Sequence, residues 1–260
     1  MTSVLYTGAA GRLGTVLRTG LAGQFDRVVL YVREEAIDAD ATEEVVVGRL
    51  DDLAALTEAM RGVDVVVHLA AIADEAPWED ILASNIDGTY AVFEAARRAG
   101  VRRVVYASSH HVIGFYPATE RVGPAHPVRP DSYYGVSKVF GEALGRLYHD
   151  KWGLEVVNLR IGCFRPEPED FRQLSAWLSH RDGVELVRCA VVAPEVGYLT
   201  VYGVSANTRG WWDNDEAAAS IGYVARDDAE AHAELFSADD PAPSVHGGQF
   251  ADPSYRGVGR

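Results

Sequence analysis

Short apolar runs alternate with stretches of helical apolar spacing along the first two-thirds of the chain, and that alternation leaves few folds open. Ser3–Thr7, Arg27–Val32 and residues 45–47, 64–69, 101–107 and 154–161 read as strands. The fourth is nearly all apolar, as a strand covered on both faces of a parallel sheet must be. Between the strands, Leu13, Val16, Leu17 and Leu21 keep helical spacing, as do residues 79–99 and Phe140, Leu144, Leu147 and Tyr148. The pattern predicts an α/β fold, a doubly wound parallel sheet. In such a sheet ligands lie beyond the carboxyl ends of the strands.

Ser3–Thr7 runs straight into Gly8-Ala9-Ala10-Gly11-Arg12-Leu13-Gly14. A glycine turn between a strand and a helix sets the free N–H groups of the helix start where a pyrophosphate can sit. Gly8, Gly11, Arg12, Leu13 and Gly14 are therefore expected to bind a dinucleotide, which makes the sheet Rossmann-type. The second strand ends Tyr31-Val32-Arg33, with no carboxylate at its tip for ribose hydroxyls. Arg33, with help from Arg12, suits a 2′-phosphate, so NADP is favoured over NAD; Glu34 and Glu35 stand close enough to oppose it. Small residues in Leu69-Ala70-Ala71 would let a cofactor approach the backbone.

The chain is long enough for one full core, and its formal net charge of −14 argues against nucleic acid and anionic membrane surfaces as partners. Cys163 and Cys189 are the only cysteines. They supply neither a disulfide framework nor metal-ligand spacing, so no metal is expected and a reducing compartment suits them. No basic leader or membrane-length apolar run is present, and a cytoplasmic location is expected. Lys138 and Lys151 are the only lysines; the other 22 basic residues are arginines.

Lys138 belongs to Ser132-Tyr133-Tyr134-Gly135-Val136-Ser137-Lys138. Tyr134 and Lys138 stand at i and i+4 and share one helix face. A fixed cation nearby favours phenolate, so the pair reads as a general base lowered toward neutral pH. Residues 114–131, rich in proline and glycine, read as a surface loop that borders the substrate. Residues 171–179 read as a helix with Arg172 on its first turn. The rest, after 165, reads as a small C-terminal substrate-binding cap (166–260) packed on the dinucleotide-binding core (1–165) as one structural unit.

With Ser109 twenty-five residues before Tyr134, residues 3–165 resemble the extended short-chain dehydrogenase/reductases. A closer resemblance covers nearly the whole chain. Residues 107–117, Thr119-Glu120-Arg121, Arg129-Pro130-Asp131, Arg160-Ile161-Gly162, Pro166-Glu167-Pro168 and Gly210-Trp211-Trp212-Asp213-Asn214 are similar to those of uronate dehydrogenases. Such enzymes oxidise the C1 hydroxyl of a hexuronic acid to an aldarolactone and pass hydride to a nicotinamide.

The resemblance implies that Tyr134 is the base, that Lys138 assists it and holds the nicotinamide ribose, and that Ser109 hydrogen-bonds the reacting hydroxyl. It implies cofactor contacts at Leu50, Leu69, Ala70, Ala71, Asn85 and Ile161. It implies substrate contacts at Ala73, His110, His111, Cys163 and Arg172, with Arg172 on the carboxylate. A guanidinium fork fits that role independently. The two adjacent histidines are poorly spaced for a metal and suit hydrogen bonding. The chain has Ala73 and Cys163 where such enzymes tend to have serines, and His110 for an asparagine. Val32 and Arg49 take the places of two aspartates near the adenosine.

Three other activities fit part of this pattern. One is C1 oxidation of a neutral aldose or a sugar phosphate, with Arg172 gripping phosphate. Another is sugar-nucleotide epimerisation or dehydration, which usually needs a larger C-terminal lobe. The third is a dinucleotide sensor without turnover. A homo-oligomer is compatible with the sequence.

Overall fold

The computed structural model describes residues 2–33, 37–237 and 240–257; Glu34 and Glu35 lie outside them. The main sheet takes β1 (Ser3–Thr7), β2 (Arg27–Val32), β3 (Glu43–Val47), β4 (Val65–His68), β5 (Arg103–Ser109) and β6 (Glu155–Ile161). A two-residue parallel ladder of β7 (Cys163–Phe164) and β8 (Trp177–Leu178) follows. β9 (Tyr198–Gly203) then returns to the main sheet. The strand order is β3-β2-β1-β4-β5-β6-β9, and every neighbouring pair is parallel. Strand order reverses between β1 and β4, which opens the crevice where such sheets bind ligands. The expected doubly wound sheet is what the chain forms. Its seventh strand comes from beyond residue 165, so the sheet continues into the segment read as a cap.

Alternate side chains on each strand go to opposite faces. Val4 and Tyr6 of β1 and Val65 and Val67 of β4 enter one core with Leu17 of α1 (Arg12–Gly20). Leu5 and Val66 enter the other, against Leu56 of α2 (Leu53–Ala59).

Residues 79–99, expected as one helix, are a helical run in three parts: α3 (Trp78–Ile81), a π-helical turn over Leu82–Asp87, and α4 (Gly88–Ala99). Val92 and Phe93 of α4 cover the second core. The 20-residue α5 (Tyr133–Trp152) starts with the Ser132 side chain accepting from Gly135 N and ends at left-handed Gly153.

The helix expected over 171–179 is shorter. Only α6 (Gln173–Ala176) forms, because Trp177 turns extended to pair with Cys163. The Ser179 side chain then caps α7 (His180–Val192), whose Leu186, Val187 and Ala190 join Leu17 in the first core. Asn214, just before α8 (Asp215–Ser220), closes the free edge of β9. Its side-chain amide donates to Tyr202 O and accepts from Tyr202 N, both at 2.8 Å.

A buried ion pair ties α5 to the sheet. Arg160 on β6 donates from Nε and Nη2 to the two carboxylate oxygens of Glu142, at 2.9 and 2.8 Å, and Ser108 donates to the same carboxylate at 2.6 Å. Replacing Glu142 by alanine leaves Arg160 charged and unpaired in the interior. The expected loss is about 3–5 kcal/mol of stability, read as a fall in the denaturant midpoint at unchanged slope.

Candidate active site

A cleft of about 640 Å³ opens at the carboxyl ends of β1, β4, β5 and β6. The glycine turn forms one end. Gly8 has φ +72°, and a Cβ there would stand 2.6 Å from Ala70 N; a Cβ on Gly14 would stand 2.6 Å from Gly8 O. The turn therefore presses against β4 and α1 in a way only glycine permits. Gly11 precedes α1 and gives it no side-chain cap, and the first turn holds no acidic residue. Its leading N–H groups are thus available to an anion, with no carboxylate competing.

Behind the turn, His68 is a structural residue. Its Nδ1 lies 2.7 Å from Thr7 Oγ1 and its Nε2 lies 3.2 Å from Thr89 Oγ1, joining β1, β4 and α4. Full burial, and then the charge of Lys138, push it down to about 3.

Tyr134, Lys138 and Ser109 meet in the middle of the cleft. Tyr134 and Lys138 come from the first two turns of α5, Ser109 from the last residue of β5. A hydrogen bond between Ser109 and the phenol favours phenolate, yet burial outweighs it and pushes Tyr134 up to about 12. The expected lowering of the phenol by Lys138 is not what this cleft produces. Burial acts on Lys138 as well, pushing its ammonium down to about 7. Lys138 Nζ has no carboxylate partner among the described residues; it sits 5.1 Å from the ring centre of Tyr106 and 5.6 Å from that of Tyr134.

At the far end stands Arg172, the residue before α6. Its Nη1 donates to His246 O at 3.0 Å and approaches His110 Nε2 at 3.4 Å, and its Nη2 lies 3.2 Å from Cys163 Sγ. Gly248 (φ +58°) passes so close that a Cβ would stand 2.6 Å from Arg172 Nε. His110 lies well below the usual histidine range, from burial first and then from the charges of His111 and Arg172. His111 Nδ1 pairs with the buried Asp131 at 2.7 Å, and Phe250 stacks on its ring at 3.9 Å.

The structure brings most of the expected site residues together. Gly8, Gly11, Arg12, Leu13, Gly14, Leu69, Ala71, Ala73, Ser109, His110, His111, Tyr134, Lys138, Ile161, Cys163 and Arg172 all line this one cleft. Ala70 lies beneath Gly8 rather than on the wall. Asn85 does not line it either: its side-chain amide is taken up by Ile72 N, Ile72 O and Ser137 Oγ, at 2.8, 2.9 and 3.1 Å. It therefore fastens the loop after β4 to α5, and the π-helical turn places it there. Leu50 packs into the second core near Gly88. Arg33 is exposed beyond β2, outside the lining.

Two features departed from expectation. Residues 114–131 do not border the cleft; Tyr116 and Val122 pack with Trp211 and Trp212 instead. Conversely, the C-terminal segment supplies Gln249, Phe250 and Tyr255 to the wall, and Tyr255 donates to Asp74 at 2.8 Å across it. No periodicity marks that segment, so nothing local in the sequence signals its place.

The residues present fit a dinucleotide. The uncapped start of α1 with Arg12 suits a pyrophosphate, and Lys138 offers a buried ammonium beside Tyr134 where a nicotinamide ribose would be held.

Comparison with known proteins agrees. Residues 4–233 match the model of the NAD dependent epimerase/dehydratase family. The chain is 44% identical over 259 residues to a uronate dehydrogenase of Agrobacterium fabrum, covering 97% of each protein. It is 43% identical to one of Pseudomonas putida over 255 residues, 95% of each. A crystal structure of uronate dehydrogenase from Agrobacterium tumefaciens, a tyrosine-to-alanine variant complexed with NAD, superposes with a TM-score of 0.92 at 43% identity. It covers 98% of this chain and 99% of that one. The chain is a uronate dehydrogenase-like member of the NAD dependent epimerase/dehydratase family, a dehydrogenase of the extended short-chain type.

Proposed function

We propose that the protein oxidises the C1 hydroxyl of a hexuronic acid to the aldarolactone. The single observation that carries this reading is the placement of a half-buried guanidinium, Arg172, in the same cleft as Tyr134, Lys138 and Ser109. A cation and a proton acceptor set apart in one cleft suit a sugar with an acid at C6 and a reacting hydroxyl at C1.

A nicotinamide held by the glycine turn and Lys138 would supply the acceptor for the hydride leaving C1. Tyr134 takes the hydroxyl proton, and Ser109 hydrogen-bonds the phenol and the reacting oxygen. Lys138 steadies the base electrostatically, and its lowered ammonium suits proton exchange near neutral pH. Arg172 receives the carboxylate through charge-assisted hydrogen bonds. His111, held by Asp131 and stacked on Phe250, forms the wall beside the ring. Cys163 and Ala73 line the same space and offer no strong hydrogen-bond donor. The segment after residue 165 acts as the substrate-binding part in this reading, through Arg172 and the tail at Phe250.

NAD is the cofactor we propose. It supports this choice that a relative matching nearly the whole chain was crystallised with NAD, whereas the NADP preference expected from Arg33 gains no support from the comparisons. The two free thiols suit a reducing, cytoplasmic setting.

The test is a panel of uronates, neutral aldoses and hexose phosphates, each run with NAD and with NADP while nicotinamide absorbance is followed. Turnover highest on a uronate with NAD is the expected result. Preference for a phosphate or a neutral sugar would overturn the substrate assignment, and product formation without net absorbance change would indicate an epimerase.

A further inference from the structure

His110 faces the cleft, yet both of its ring nitrogens are engaged by the protein. Nδ1 lies 3.0 Å from the carbonyl oxygen of Ile161 at the end of β6. A carbonyl only accepts, so Nδ1 carries the proton and Nε2 of the neutral ring is an acceptor. Opposite Nε2, at 3.4 Å, is Nη1 of Arg172, which can only donate. The ring is 3% exposed and wedged between His111 and Trp212, with ring centres 4.1 and 5.6 Å away. It has little room to turn.

A guanidinium has five N–H groups. In Arg172, Nη1 serves His110 and His246 O, and one Nη2–H faces Cys163 Sγ. Nε–H and the second Nη2–H have no protein acceptor among the described residues. Nε and Nη2 form the edge with which Arg160 grips both oxygens of Glu142 in this same molecule.

We propose that His110 is a positioning residue for carboxylate recognition, holding Arg172 by Nη1 so that the Nε–Nη2 edge is left for the substrate. This rests on the reading of Arg172 as the carboxylate's partner. An arginine not held in this way must be ordered at each binding event, which weakens binding without altering the chemical step. His110 thus acts through Arg172 rather than on the sugar ring.

The experiment compares wild type, His110→Leu and His110→Gln on D-glucuronate and D-glucose. Leucine removes the acceptor at similar bulk; glutamine can bring an amide oxygen to where Nε2 lies. The expected outcome for His110→Leu is a KM for D-glucuronate raised about tenfold, a kcat changed much less, and a similar fall in the D-glucuronate to D-glucose ratio of kcat/KM. His110→Gln should recover most of that loss, and cofactor affinity should stay near the wild-type value in both. An unchanged KM in His110→Leu, or an equal rise for both sugars, would overturn the positioning role. Should the leucine variant not fold, His110→Ala, which likewise leaves no side-chain acceptor there, takes its place with the same expectation. Wild-type enzyme with no preference for D-glucuronate would overturn the functional reading and this proposal with it. A preference that survives His110→Leu would overturn the proposal alone.

Discussion

Replacing Tyr134 by phenylalanine is expected to lower turnover by at least about 10²–10⁴, the range that a positioned general base contributes, while cofactor affinity stays near wild type. Phenylalanine keeps the ring that packs among Ala76, Ile81 and the aromatic neighbours His111 and Phe250. Only the hydroxyl, and with it the hydrogen bond with Ser109, is lost. The pH dependence carries the sign of the argument. With the phenol lifted by burial to about 12, phenolate is the scarce form at neutral pH. The rate of oxidation should therefore rise with pH on the acid side of the phenol's pKa, and that limb should vanish in Tyr134→Phe. Steady-state rates across pH, with cofactor binding measured by nucleotide fluorescence, check both points. Undiminished turnover in the variant would remove Tyr134 from its role.

Arg172→Ala carries the second large effect. The half-buried side chain links Cys163, His246 and His110 at one end of the cleft. Losing one partner of a buried, hydrogen-bonded charge pair costs about 2–5 kcal/mol, which predicts a fall of about 30-fold or more in kcat/KM for a uronate. The loss should fall mainly on KM and be much smaller for a neutral sugar. Arg172→Lys should restore little, because a point charge cannot reproduce the planar fork. An equal loss on acidic and neutral sugars would mean that Arg172 only supports the cleft wall.

The parts of this molecule that were readable from sequence are those governed by near neighbours. β1, the glycine turn and the start of α1 form one continuous stretch in which periodicity and the need for glycine are local facts. Tyr134 and Lys138 declare their shared face by helical spacing alone. Ser109 becomes identifiable because it lies where a strand ends, at the edge of the sheet where ligands bind. Arg172 was readable as a residue type and, through family resemblance, as a partner for an acid. Its helix was not: whether residues 177–178 continue α6 or pair with β7 depends on a strand fourteen residues upstream.

What the chain's order of residues determined was the alternating architecture, the dinucleotide turn and the cluster around Tyr134, because sterics and periodicity act between neighbours. Only the folded arrangement decided that Asn85 fastens a loop, that the tail at Phe250 and Tyr255 walls the cleft, and that His110 holds Arg172. It also reversed the expected shift of the phenol. Those outcomes depend on contacts between distant segments and on how much water the whole packed structure excludes, and no stretch of sequence contains either quantity by itself.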